Sequence, residues 1–455
     1  MTSGRKKKKW TVFSLFSGGM GLDLGLEATG RFETRICVES AKAFCDTIRL
    51  NQAKGRLSEN LQIVEGDISS IDPKNLFVDL GVDPSEIDVV VGGPPCQSFS
   101  TAGRRGTVQD PRGTLIWDFL RFVEFVKPKF FLMENVRGLL SAALKHRPIA
   151  KRPGKGGPPL LPEEEPGSVV RLFASDLAKL KGISYHLDIF EVNAVNYGAP
   201  QIRERVLFIG NIFGKIVDFP APTHGPNSSD GDKSSQISLF GESSKRPWRT
   251  LGDALEGLGD PDPLVLDFSP RKKSFLELVP PGSNWRSLPL EIQQESMGKA
   301  WYAKGGRSGW WRRLTFDLPS PTLITMPNHA STSLCHPTET RALSVREYAR
   351  IQEFPDDWEF AGTISEQYAQ LGNAVPTRLG KVAGEVIDKE LHQLLSKNAA
   401  PSLENVGTPR IVYLQSHVRT RQWFKNGQVI HWKDGEDNKG AQYSPPKTIT
   451  AKRSI

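Results

Sequence analysis

The sequence predicts a doubly wound, mostly parallel α/β sheet into which a smaller, irregular domain is inserted. Three observations point there. Apolar, β-rich runs recur at 12–15, 35–38, 61–64, 89–91, 130–133 and 206–209. Amphipathic stretches such as 41–49 and 115–126 lie between several of them, the alternation expected of parallel strands joined by helices. The pattern then breaks after residue 213, where Trp, Pro, Gly and Arg accumulate without a clear period, and it returns near residue 341.

Residues 10–212 are therefore the first part of the α/β domain, 213–340 the insert and 341–398 the return. Residues 399–455 form a basic extension, read as a short β appendage or a partly ordered tail. Segment 147–167 is rich in Pro, Gly and charge and reads as a surface loop. Segment 221–247, dense in Pro, Gly, Ser and Asp, reads as a linker or mobile loop. Ser344-Val-Arg-Glu347 is a capping box that predicts a helix running to Gln352 and stopping before Pro355.

A formal net charge of +8 favours polyanionic partners. No run is long and apolar enough to span a bilayer, and the lysines from Lys6 to Lys9 have no apolar core beside them, which excludes a secretory signal. Four cysteines make neither a disulfide framework nor a Cys-x-x-Cys metal site. A cytoplasmic protein without a metal is expected.

The first apolar run leads into Phe16-Ser-Gly-Gly-Met-Gly21, a turn that lets backbone approach a cofactor closely. It matches neither G-x-G-x-x-G nor a phosphate loop, which disfavours a pyrophosphate. Glu39 ends the second run and can accept from ribose hydroxyls, and Asp67 after the third can accept from an adenine amine. Ribose and adenine acceptors without a pyrophosphate cradle indicate S-adenosylmethionine. Cys96 follows three buried valines and a stiff Gly-Gly-Pro-Pro turn, a placement that suits a nucleophile at the carboxyl end of a strand. A buried small hydrophobe is the competing reading. Glu134 ends the fifth run and shares that cleft, where it could hold or deliver a proton. Arg203 and Arg205 alternate at the start of a strand and face one way, as a clamp for a phosphate, carboxylate or base edge, or as an ion-pair stripe.

In order along the chain, Phe16-Ser-Gly-Gly-Met-Gly21, Gly93-Pro-Pro-Cys-Gln-Ser98, Glu134-Asn-Val136, Gln201-Ile-Arg-Glu-Arg-Val206, Arg346-Glu-Tyr-Ala-Arg-Ile-Gln-Glu-Phe-Pro355 and Gly372-Asn-Ala-Val-Pro376 resemble the motifs of the DNA (cytosine-5) methyltransferase family, bacterial restriction–modification type. They span roughly 10–212 and 340–395. The resemblance implies a Rossmann-like methyltransferase sheet and makes 213–340 a target-recognition domain. It implies that Cys96 adds to C6 of cytosine, Glu134 holds N3 and the exocyclic amine, Arg205 contacts the carbonyl oxygen, and Arg203 supports the cleft and the loop bearing Cys96. Phe16, Gly18, Gly21, Glu39, Asp67, Leu115 and Asn373 would bind S-adenosylmethionine. Ser40 departs from the family, which often carries a tryptophan there that stacks on adenine.

Duplex DNA is the implied partner, with the target base flipped out of the helix. Loop 97–112 would close over it, with Arg104 and Arg105 on phosphates. Arg307, Arg312, Arg313 and Thr322 are the candidate DNA contacts of the insert, whereas Trp310 and Trp311 read as its core. A monomer acting on the same site as a cognate restriction endonuclease, without a stable complex, is expected, located in the cytoplasm at the nucleoid. Two rival readings are a tRNA cytosine methyltransferase and a catalytically inactive DNA-binding regulator.

Overall fold

A computed structural model describes residues 9–95, 114–225, 245–302, 309–402 and 409–414, together with the backbone of 422–425 and 428–431. Eight strands form one sheet: β1 (Trp10–Leu15), β2 (Phe32–Glu39), β3 (Gln62–Glu65), β4 (Val89–Gly92), β5 (Phe130–Val136), β6 (His186–Asn193), β7 (Glu204–Asn211) and a late strand. The short pair β8 (His224–Gly225) and β9 (Arg246–Pro247) stands apart, so the late strand is β10 (Arg410–Tyr413). The order is β10-β6-β7-β5-β4-β1-β2-β3. Strands β3, β2, β1, β4 and β5 run parallel, and β7 is antiparallel to both β5 and β6. Because β1 lies between β2 and β4, the chain reverses direction across the sheet there, and a crevice opens at the carboxyl ends.

Alternation along the strands sorts side chains onto two faces. Phe13, Val90, Phe131 and Phe208 meet α3 (Pro73–Leu80), α4 (Leu115–Val126) and α5 (Ser168–Leu177) in one core. Val12, Val89, Phe130 and Ile209 meet α1 (Gly21–Glu27) and α11 (Thr377–Ser396) in the other. The last two helices touch through glycines. A Cβ on Gly25 would lie 2.2 Å from the Thr377 carbonyl oxygen, and one on Gly380 would lie 2.4 Å from that of Leu22. A segment more than 350 residues downstream of α1 thus completes the face that the first strand begins.

A third core joins α2 (Lys42–Ala53), α9 (Val345–Ile351) and α10 (Ile364–Asn373) to Leu314, Leu323 and Leu334 of the insert. Three short helices, α6 (Leu251–Leu255), α7 (Pro270–Leu276) and α8 (Leu290–Met297), furnish most of the insert's regular structure. Phe275, Trp285, Met297 and Trp311 form its own core, with Trp310 packed against them, as expected for that tryptophan pair. The Ser344 cap is present: its hydroxyl accepts from Glu347 N at 3.2 Å, and α9 follows.

The sequence gives no sign of β6, although all eight of its residues are buried. His186, Asp188, Glu191 and Asn193 interrupt the apolar run; Asp188, Glu191 and Asn193 find partners on other elements, and His186 contacts Asp188 within the strand. Asp188 accepts from Val217 N at 2.7 Å and from Arg410 Nε at 2.7 Å, and contacts His186 Nε2 at 3.1 Å. The extension at 399–455 is thereby anchored, since β10 pairs in parallel with β6, with Arg410 opposite Asp188. No helix among the described residues is long and apolar enough to cross a membrane.

Candidate active site

Glu134 lies near the carboxyl end of β5, and Arg205 stands near the start of its antiparallel neighbour β7. Antiparallel pairing brings both to the same edge of the sheet, where Val136 is in register with Arg205. Arg205 Nε lies 2.5 Å from Glu134 Oε1, and both side chains are about 10% exposed. That oxygen has no aligned hydrogen bond, so it retains acceptor capacity. Burial works against the charge on Arg205, and Glu134 opposes that effect. A carboxylate held by one guanidinium keeps further lone pairs that can take N–H donors from a planar heterocycle.

The turn leading towards Cys96 is fastened to the same edge. Asn135 Nδ2 donates to Pro94 O at 3.0 Å, and a Cβ on Gly93 would sit 3.2 Å from Glu134 Oε2. A larger residue there would crowd the carboxylate. Cys96 lies outside the described residues, as do Arg104, Arg105 and Arg307 and the rest of loop 97–112. Asn135, absent from the expected site, is the residue that ties this turn to β5. Its position directly after Glu134 was the available signal.

Arg203 bonds elements on either side of the sheet's carboxyl end. Its guanidinium is fully buried and donates to Leu323 O at 3.0 Å and Gly372 O at 2.8 Å. Its backbone N–H donates to Asn193 Oδ1 at 2.9 Å. Those bonds join the sheet to the insert and to the returning motif; none reaches a described residue of the Cys96 turn. Gln201 reinforces the joint: Leu323 N donates to its Oε1, and its Nε2 donates to Gln352 Oε1, both at 3.0 Å. Gln352 in turn donates to Leu371 O and Ala374 O. Buried amides and a buried guanidinium without carbonyl partners would be costly, so this network fixes one docking geometry.

The glycine-rich turn sits at the carboxyl end of β1. Phe16 and Met20 adopt left-handed φ of 57° and 70°, and Gly18 lies at 55°. A Cβ on Gly18 would meet nothing within 4 Å, so the backbone there borders open space. Glu39, ending β2, accepts from Gly18 N at 2.8 Å and from Ser40 N and Ala41 N at 2.9 Å, which fixes its carboxylate beside the turn. Asp67 follows β3 and is exposed, with Oδ1 accepting from Ser69 N. Leu115 opens α4 half-buried, and Asn373 ends α10 exposed. An open glycine face with carboxylates at the ends of successive strands fits an adenosyl ligand. Gly21 is also the point where α1 meets the returning motif, since a Cβ on it would lie 2.4 Å from Val375 O.

Beneath the turn lies a carboxyl group that the sequence did not single out. Asp23 is 1% exposed, one of its oxygens has no partner, and Ser14 and Ser17 are hydrogen-bonded above it. Burial pushes this acid up to about 7, against the relief given by Ser14 and with a further push from Glu27.

Two of the arginines expected to contact DNA turn inward. Arg313 is 5% exposed; its terminal nitrogens donate to the carbonyls of Leu276, His336 and Glu339 and to Thr340 Oγ1. Arg312 Nε donates to Ser333 O, and burial lowers its guanidinium to about 10. The insert has little regular backbone pairing, so side-chain donors close its carbonyls. Thr322 is exposed but donates to Ile202 O at 2.7 Å, joining the insert to the segment that leads into β7.

The model of the C-5 cytosine-specific DNA methylase family matches residues 10–389. A type II methyltransferase of Staphylococcus aureus, M.Sau96I, is 36% identical over 86% of this chain and 78% of its own length. M.PspPI, a type II methyltransferase of Psychrobacter, is 34% identical over 87% and 81%. Among solved structures, an E. coli prophage protein described as a DNA modification methyltransferase aligns with a TM-score of 0.54 at 24% identity, covering 84% of this chain and all of that one.

Proposed function

From the premise that the chain belongs to the C-5 cytosine-specific DNA methylase family, and is a DNA cytosine-5 methyltransferase, we propose how its own residues carry the reaction. Cytosine C5 is a weak nucleophile until a thiolate adds to C6 and makes the ring enamine-like. Cys96 supplies that thiolate. Glu134 accepts from the protonated N3 and the exocyclic amine, stabilising charge as it develops, and Arg205 donates to the ring carbonyl oxygen while holding Glu134 in place. S-adenosylmethionine, when bound, supplies the methyl group, with Phe16, Gly18, Glu39, Asp67, Leu115 and Asn373 around it. Loss of the C5 proton then expels the Cys96 thiolate and restores the aromatic ring.

The substrate in this reading is duplex DNA with the base flipped into the cleft, loop 97–112 closing over it and the insert at 213–340 reading the sequence. The type II relatives favour a restriction–modification role beside a cognate endonuclease. The observation that carries the reading is the Glu134–Arg205 pair at 2.5 Å, facing the turn that Asn135 ties down. A duplex carrying 5-fluorocytosine at the target tests it, because fluorine blocks the final elimination. Wild type should form a covalent complex stable in denaturant, and Cys96→Ser should form none and lose methyl transfer. Turnover by the serine variant at the wild-type rate would overturn the mechanism.

A further inference from the structure

Segment 144–168 is no slack loop, despite its Pro- and Gly-rich composition. It hangs from the carboxyl end of β5, directly after a short 3-10 turn at Arg137–Ser141. Its neck is closed by Lys145 N donating to Glu163 O at 2.8 Å, Leu144 N to Ser168 Oγ at 2.9 Å and Gly167 N to Ala142 O at 3.1 Å. Inside the ring, Arg147 is largely buried, pairs with Glu164 and donates to Pro158 O at 2.7 Å and Pro159 O at 2.9 Å. Arg152 Nε donates to Arg147 O at 3.0 Å, and a Cβ on Gly157 would lie 2.1 Å from Lys151 O. These contacts shape an open cavity of about 530 Å³ lined by His146, Lys151, Lys155, Gly156 and Gly157 among others.

Charge within the ring is uneven. Residues 145–157 contain five lysines and arginines and no acid. The acids at 163–165 are engaged: Glu163 by Lys145, Glu164 by Arg147 and Glu165 by Arg171. Lys151 and Lys155 are exposed on successive 3-10 turns and make no ion pair among the described residues. A rigid cradle with two unpaired cations, beside the sheet edge that holds Glu134, suits a polyanion lying across that edge.

We infer that the 144–168 ring binds the sugar–phosphate backbone of the DNA substrate flanking the target base, with Lys151 and Lys155 on consecutive phosphates. The inference rests on the DNA methyltransferase reading above. Each neutralised phosphate releases counterions, contributing about 0.9 to the slope of log affinity against log salt.

The test compares wild type, Lys151→Ala/Lys155→Ala and a control pair, Lys389→Ala/Lys397→Ala, on a methylatable duplex from low to moderate salt. The control removes the same charge from the far half of α11. The ring variant should lose roughly tenfold in affinity at low salt and about 2 in slope, with KM raised and kcat at saturating DNA unchanged. The control should stay near wild type. An unchanged slope in the ring variant, an equal loss in the control, or a fall in kcat with KM intact would each overturn the inference. Absence of methyl transfer by wild type would instead overturn the functional reading itself.

Discussion

The catalytic edge of the sheet and the inserted region both hold buried arginines, and they use them in opposite ways. At the edge, Arg205 pairs directly with Glu134, whose Oε1 accepts no aligned hydrogen bond from the described residues. In the insert, Arg313 has both terminal nitrogens occupied by three carbonyls and a hydroxyl of its own surroundings. One arrangement holds capacity in reserve for a ligand; the other substitutes for the backbone ladder that an irregular chain lacks. A cation's function therefore follows from which donors remain unoccupied, and residue type alone does not reveal it.

The sharpest way to break that contrast is to remove each arginine. Arg313→Ala leaves several buried acceptors without donors and should destabilise the protein by roughly 4 kcal/mol, visible as a large fall in Tm. Arg205→Ala should lower kcat by about 10² to 10³-fold with a much smaller change in Tm. Equal Tm losses in the two variants would erase the distinction.

A smaller effect concerns Asp23, the edge's other uncompensated group. Its folded pKa of about 7 lies above the ordinary value of 3.8, so the native state keeps a proton that the unfolded chain has already released. The unfolded state binds fewer protons across that window, and stability must fall as pH rises from about 4 to about 7. Asp23→Asn removes the burden, on the order of 3 kcal/mol at the top of the range. Thermal melts of both proteins should diverge with rising pH and converge near pH 4. A gap independent of pH would contradict the buried-acid account.

The smallest expected effects separate two glycines. Gly25→Ala drives a methyl into the Thr377 carbonyl and should cost about 2 kcal/mol in stability. Gly18→Ala meets only open space but must hold a left-handed φ, at about 1 kcal/mol of strain, and should weaken S-adenosylmethionine binding more than it lowers Tm. Calorimetric titration beside melting curves distinguishes them; a larger Tm loss for the Gly18 variant would reverse the assignment.

Much of the sheet was legible because β1, β4 and β5 are short apolar runs between helices, and α4 begins and ends where its periodicity does. Strand β6 escaped because Asp188 and Asn193 are satisfied by Val217, Arg410 and Arg203, contacts that no local pattern encodes. Glu39 could be placed from its distance to the glycine-rich turn. The contact of Gly21 with the returning motif was not legible, since a helix contact and a cofactor turn ask for the same residue. In the insert, the arginine-rich run could not be read as inward-facing, because its acceptors at Leu276, Ser333 and His336 lie far away in sequence.

The glycine contacts between α1 and α11 also impose an order on biosynthesis. The ribosome delivers Cys96, Glu134 and Arg205 long before the partner of the first helix exists. A nascent chain halted short of Thr377 would carry every reactive group yet leave Leu22 and Leu26 without the helix that covers them. Such a fragment would be sticky and idle, so maturation of that face of the sheet waits until α11 has been translated.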